Sequence, residues 1–321
     1  MDTRVTASRC GLARSAVGRA RAGAGLALVL FATTFGCGAG APGGENKTDA
    51  LRVLVATSLA PAVRAIAAPL ARAGISLQLE TGPSLVLVRK VTDLGQRADL
   101  LVLADLSLFE EPPLVAHLDG SPQLVALDRM VLAHRPGAPG LAEARAGRWP
   151  EVLLRPAVRF GIAAPDLAPC GYRTLLVWRL AERTMGQHAL AARLEAACPA
   201  ARRRASLGAL VALVQSGELD YAFLYASTAR AAGLGAIELG PEIDLSDPAR
   251  ADTYARVALP RGAGGAPVRG APIRCAAAVL RGGARETARR LLQRLRSDRG
   301  RATLRGFGFV PPPQRAAGRT R

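Results

Sequence analysis

The chain predicts a two-lobed α/β protein with mainly parallel sheets and helices on both faces of each. Three observations carry that expectation. Apolar strand-like runs alternate with helical stretches from residue 51 onward, and the alternation restarts as a second series near residue 158. Between the two series, the long apolar run QLVALDRMVLAH (123–134) is long enough to cross from one lobe to the other. With 321 residues, half of them apolar, the chain can fill two cores.

The elements follow in order. LRVLVA (51–56) reads as a buried strand, SLAPAVRAIAAPLARAG (58–74) as a helix closed by Gly74, and ISLQLE (75–80) as the second strand of a βαβ opening. SLVLVRKVTDLG (84–95) is a helix starting at Ser84 and stopping at Gly95, followed by the strand ADLLVLA (98–104). The second series comprises a strand VRFGI (158–162), one long helix from about Cys170 to Ala197, a helix over 206–216 and the strand DYAFLY (220–225). TYARVALP (253–260) and APIRCAAAVL (271–280) return to strand character, and residues 285–308 form a helical finish. The expected division is therefore 51–127 with 258–321 as one lobe and 128–257 as the other.

The first residues are read as a targeting segment. Arg4, Arg9, Arg14, Arg19 and Arg21 precede the apolar run AGLALVLFATTFGC, the pattern of an export signal. Gly36 before Cys37 matches a lipoprotein processing site, with a lipid then carried on Cys37. The alternatives are a plain secretory signal cleaved nearby or an uncleaved anchor, for which the run is short. Residues 1–37 are thus assigned to the signal, and the Gly-rich 38–50 to a flexible tether. This reading makes the protein exported, periplasmic or extracellular, and held at the membrane surface through Cys37.

The formal charge of +18 comes almost wholly from scattered arginines, and aromatics are only 4%. A nucleic-acid binder concentrates its charge and interleaves aromatics, so no nucleic-acid partner is expected. The charge reads instead as a mild attraction for anions or anionic lipid. Cys170, Cys198 and Cys275 show no metal-ligand spacing, and no metal site or cofactor is expected. They allow at most one disulfide, whose pair the sequence does not choose. His117, His134 and His188 are isolated, and Asp93, Asp99 and Asp105 make no acid/base pair.

The chemistry concentrates at three strand-to-helix junctions: VATSLA with Thr57 and Ser58, ETGPSLV with Gly82 and Ser84, and APCGYRT with Cys170 and Gly171. Pro169 suits the first turn of a helix, yet Ala168 before it has no side chain able to cap the free N–H groups. Uncapped donors at helix starts, aided by the dipole, suit a bound oxyanion. As an enzyme the chain would need Cys170 as a nucleophile of lowered pKa, and no histidine is placed to be its base. No enzymatic activity is expected.

VLVATSLAPAVRAIAAPL, GPSLVLVRKVTDLGQRADLLVLADLSLF, WPEVLLRPAVRFGIAAPDLAPCGYRTLLV, LVQSGELDYAFLYASTA and the ending GFGFVPPP resemble the extracellular molybdate/tungstate-binding proteins of ABC transporters. The resemblance runs from residue 51 to about 313. It implies a type II-like periplasmic-binding-protein fold whose lobes close over molybdate or tungstate in the cleft between them, with delivery to a membrane permease. Sulfate, phosphate or a small organic anion is the alternative ligand.

Carried over residue by residue, the resemblance makes Ser58 and Ser84 hydroxyl and N–H donors from the first lobe. The backbone around Pro169, Cys170 and Gly171 caps the anion from the second, with Tyr225 and the backbone of Ala226 on the opposite side. Ala168 and Leu224 stand where tungstate-type members carry carboxylates that add ligands to the metal. The anion is therefore expected to stay four-coordinate and to be held by hydrogen bonds alone. Arg173 is left open between supporting the loop and touching the ligand.

Overall fold

A computed structural model describes residues 50–260 and 266–312; the signal segment, Cys37 and the tether up to residue 49 lie outside them. The first sheet grows from the opening βαβ unit. β1 (Leu51–Ala56) is buried except for Arg52, as a strand covered on both faces must be, and pairs in parallel with β2 (Leu77–Gly82) and β3 (Leu100–Leu103). α1 (Ala60–Arg72) packs Ala62, Val63, Ile66, Ala67 and Leu70 inward at helical spacing. Gly74, at φ +83°, turns the chain back toward β2. α2 (Ser84–Thr92) is the second crossover, and the short α3 (Pro112–Val115) leads to β4 (Gln123–Leu127).

The chain leaves the first sheet at Leu127 and enters the second at β5 (Met130–His134), so the run 123–134 crosses as expected, through Asp128 and Arg129. α4 (Leu141–Glu143) and α5 (Trp149–Leu153) precede β6 (Phe160–Ala163). α6 (Pro169–Met185) and α7 (Leu190–Ala197) replace the single helix expected from Cys170 to Ala197. Gly186 closes α6 in the left-handed conformation, and Ala189 at φ +55° restarts the chain as α7. β7 (Arg203–Arg204), α8 (Leu207–Gln215), β8 (Tyr221–Tyr225), α9 (Ala226–Ala231) and β9 (Gly235–Glu238) complete a sheet of order β7-β6-β8-β5-β9.

The stretch 253–260, expected as a strand, is mostly not one. α10 (Ala251–Tyr254) takes its first half, with the Tyr254 hydroxyl donating to the Pro241 carbonyl, and only β10 (Ala258–Leu259) pairs, with β11 (Val268–Arg269). β12 (Arg274–Val279) then returns to the first sheet, in the order β2-β1-β3-β12-β4. α11 (Arg285–Arg296) and α12 (Asp298–Gly306) are separated at Ser297, whose hydroxyl caps α12 by accepting from the Gly300 N–H. The opening strands of each series pair in parallel. β12 and β5 pair antiparallel with both of their neighbours, so each sheet is mixed.

Trp149, Phe160, Trp178 and Phe223 pack edge-on under the second sheet, with ring centroids 5.6–6.1 Å apart. Among the described residues no helix is long and apolar enough to cross a membrane. Cys170, Cys198 and Cys275 are buried and free, so the one disulfide their number allows is not formed.

The crossing between the sheets holds a buried carboxylate. Asp128 accepts from the Ser227 hydroxyl and N–H and from the Arg129 N–H, which ties the crossing to the start of α9. Burial raises its pKa to about 6, against those hydrogen bonds and the charge of Arg129. A carboxyl raised on folding stabilises fully below its unfolded value near 4, and that contribution is lost as pH rises through 6. Asp128→Asn should therefore gain on the wild type by about 1–3 kcal/mol between pH 4 and 7. Urea melts across that range check this; a constant difference would mean that Asp128 titrates as an exposed carboxylate does.

Candidate functional site

The carboxyl ends of β1, β2 and β3 face the starts of α6 and α8 across a cavity of about 20 Å³. Ser58, Ser84, Ala168, Pro169, Cys170 and Tyr225 all line it, although they come from four separate stretches of chain. Gly171 and Ala226, the other two residues expected there, do not. The Ala226 N–H donates to the Arg129 carbonyl at 2.9 Å, so it faces the crossing rather than the cavity. Leu224 is fully buried in β8 beside Tyr225 and is also absent from the lining. Of the two positions read as replaced carboxylates, only Ala168 is a wall of the cavity.

Each helix start arrives with donors to spare. α2 has Pro83 as its N-cap and α6 has Ala168, and neither residue makes a side-chain cap. At the end of β1, Thr57 N–H donates to Gly82 O and Leu59 N–H to Ala56 O, which leaves the Ser58 N–H between them, next to its own hydroxyl. Sequence reasoning missed the fourth junction, where Ala205 and Leu207 reach the cavity at the start of α8. Its signal was present as SLGAL (206–210), a Ser N-cap before an apolar helix, and Ser206 does accept from the Ala209 N–H.

The hydroxyls are oriented from behind. Ser84 Oγ, 1% exposed, accepts from the Ala104 N–H at 3.2 Å, and Tyr225 Oη accepts from Arg173 Nη1 at 2.8 Å. Each of these hydroxyls is an acceptor in that bond and keeps its proton to offer a ligand. Among the described residues, no charged side chain lines the cavity. Cys170 is no nucleophile: burial pushes its thiol up to about 12, and its Sγ turns to the Phe223 carbonyl. Among the described residues no three His, Cys, Asp or Glu side chains gather to hold a metal. A wider groove of about 500 Å³ at the other end of β1, lined by Arg52, Arg97 and Arg281, has no hydroxyl among the described residues in its walls.

The profile of the family described as bacterial extracellular solute-binding protein matches residues 51–310. The chain belongs to this family. It is 31% identical over 263 residues to the molybdate/tungstate-binding protein WtpA of Pyrococcus abyssi, covering 74% of this chain and 76% of that one. An uncharacterized solute-binding protein of Petrotoga mobilis is 35% identical over 182 residues, which is 57% of this chain and only 56% of that relative's length. Among solved structures, the periplasmic molybdate-binding protein of Azotobacter vinelandii superposes with a TM-score of 0.59 at 19% identity, over 82% of this chain and all of that one. The sulfate-binding protein SubI of Mycobacterium tuberculosis gives 0.55 at 16%, over 82% and 87%. At such identities these structures share the two-lobe fold with this family member.

Gly171 serves the site without touching it. A methyl group on its Cα would sit 2.4 Å from the Ala163 carbonyl oxygen, so only glycine lets the start of α6 press against the end of β6. Gly171→Ala should push the α6 start outward and destabilise the fold by about 1–3 kcal/mol. Denaturant melts measure this, and an unchanged midpoint would mean that α6 is not held at that distance.

Proposed function

We propose that this protein binds a tetrahedral oxyanion of the molybdate/tungstate class and delivers it to an ABC-transporter permease. The observation that carries the reading is the small cavity walled by four helix starts and by Ser58, Ser84 and Tyr225, with no charged side chain among the described residues that line it. A dianion there is stabilised by N–H and O–H donors and by helix dipoles, and meets no carboxylate that would repel it. The 30–31% identity to two molybdate/tungstate-binding relatives points the same way. The Ser84 and Tyr225 hydroxyls each already accept one hydrogen bond, and with the helix-start N–H groups the walls offer mainly donors. An anion carrying its own proton, as phosphate does at neutral pH, finds no carboxylate among the described lining residues to accept it strongly and is disfavoured.

Around this site we propose lobes of 51–127 with 258–321 and of 128–257, joined at the Asp128 crossing. We further propose export by the segment 1–37 and a lipid on Cys37 that keeps the protein near its permease. Sulfate is the second reading, favoured by the small cavity and by the absence from its walls of any carboxylate to ligate a metal.

A calorimetric panel of molybdate, tungstate, sulfate and phosphate separates these readings. Molybdate and tungstate should bind and raise the melting temperature, phosphate should not, and equal binding of sulfate would overturn the assignment. Ser58→Ala and Ser84→Ala should each weaken molybdate binding by about 1.5–3 kcal/mol, the worth of a hydrogen bond to a charged group. Unchanged affinity in both variants would move the ligand elsewhere.

A further inference from the structure

Behind the cavity, on the side away from the ligand, a buried cluster joins the two sheets. Arg173, 3% exposed in the first turns of α6, directs its guanidinium at the end of β3 in the other sheet. Its Nη2 lies 2.9 Å from Asp105 Oδ2, and its Nη1 donates both to the Ala104 carbonyl at 2.7 Å and to Tyr225 Oη at 2.8 Å. The Tyr172 hydroxyl donates to the same Asp105 oxygen, while the N–H and hydroxyl of Ser107 donate to the other. The guanidinium carbon sits 5.8 Å from the ring centres of both Tyr172 and Tyr225.

We propose that Arg173 and Asp105 form an inter-lobe latch that positions the Tyr225 hydroxyl for the ligand and favours the closed arrangement of the lobes even without an anion. This rests on the oxyanion reading of the cavity. Ala104 links the two lobes. Its N–H holds the Ser84 hydroxyl of one lobe, and its carbonyl holds Arg173, which in turn holds the Tyr225 hydroxyl of the other. One residue thus connects the two ligand-facing hydroxyls through a continuous chain of hydrogen bonds. Separating the lobes breaks the ion pair, the Tyr172 contact and the Ala104 contact together, and frees the Arg173 side chain that aims the Tyr225 hydroxyl.

The charges are arranged to permit this. Burial opposes ionisation of Asp105, but the Arg173 charge and the Tyr172 and Ser107 hydrogen bonds hold its carboxyl below the ordinary value. Asp105 neutralises Arg173 in turn, so the pair adds no net charge behind the dianion. A lysine would keep the charge but lacks the planar fork needed to reach Asp105, Ala104 and Tyr225 at once. Arg173 and Asp105 are therefore positioning residues, and the fraction of molecules that have closed sets the apparent affinity.

The test uses the full chain with Asp105→Asn, Arg173→Gln, the double variant and Arg173→Lys. Molybdate affinity and release rate are measured by calorimetry and stopped flow. Amide hydrogen exchange over 100–107 and 169–175 is followed without added anion. Each single variant should weaken binding at least tenfold, mainly through faster release, and should raise exchange on both sides of the cleft. The double variant, with no charge left unpaired, should recover part of the loss. Arg173→Lys should melt near the wild type and still bind at least tenfold more weakly. Variants that lose thermal stability but keep wild-type affinity, release rate and exchange would overturn the latch and leave a merely structural ion pair. The exchange readout needs no ligand, so the latch can be judged even if the wild type binds none of the four anions, a result that would instead defeat the oxyanion reading.

Discussion

Unpaired backbone N–H groups at helix starts are costly to bury, and this structure brings four such starts to one cavity. Most of its other features serve to keep those donors free, dry and aimed. Proline and alanine stand at the N-cap positions of α2 and α6 where Ser or Asp would have consumed the N–H groups. Glycine at 171 lets α6 approach β6 closely enough for its first turn to reach the cavity wall. The parallel pairing of β1, β2 and β3 sends every crossover helix back from the same edge, which is why several starts converge there.

The charged groups near the site sit behind its walls. Arg173 and Asp105 neutralise each other one layer back, and Asp128 lies at the crossing between the sheets with its own hydrogen-bond donors. A bare cation in the wall would bind any anion strongly, whereas fixed dipoles and hydroxyls reward only an anion whose oxygens meet them in the right places. The two buried acids have opposite characters for a physical reason. Asp105 faces a guanidinium that offsets its burial, while Asp128 has mostly neutral donors and is left with a raised pKa.

Local features were the most legible in the sequence. The helix ending at Gly74, the helix beginning at Pro169 and the crossing through 123–134 follow from chain-local signals: a left-handed glycine, a first-turn proline and an apolar run too long for one strand. The break between α6 and α7 was missed although Gly186 is a stop signal of the same kind as Gly74, because the helical stretches on either side of GQHA (186–189) were read as one. Residues 253–260 read as a strand from their composition, but the Tyr254 hydroxyl bonded to Pro241 O favours a helical turn there. At the site, hydroxyls and proline stood out as residue types. The pairing of Asp105 with Arg173 could not, because the two lie far apart in the chain and meet only once both sheets have formed. The Ala226 N–H, expected from the resemblance to face the ligand, instead donates to the carbonyl of Arg129, in the crossing between β4 and β5, a partner that only the folded chain brings near.

The central claim is that the anion is held by hydrogen bonds alone, with no protein oxygen bonded to its metal. X-ray absorption on the molybdate or tungstate complex tests it most directly. The account predicts four short metal–oxygen distances and no longer ones contributed by the protein. A six-coordinate metal with protein oxygens in its shell would contradict it.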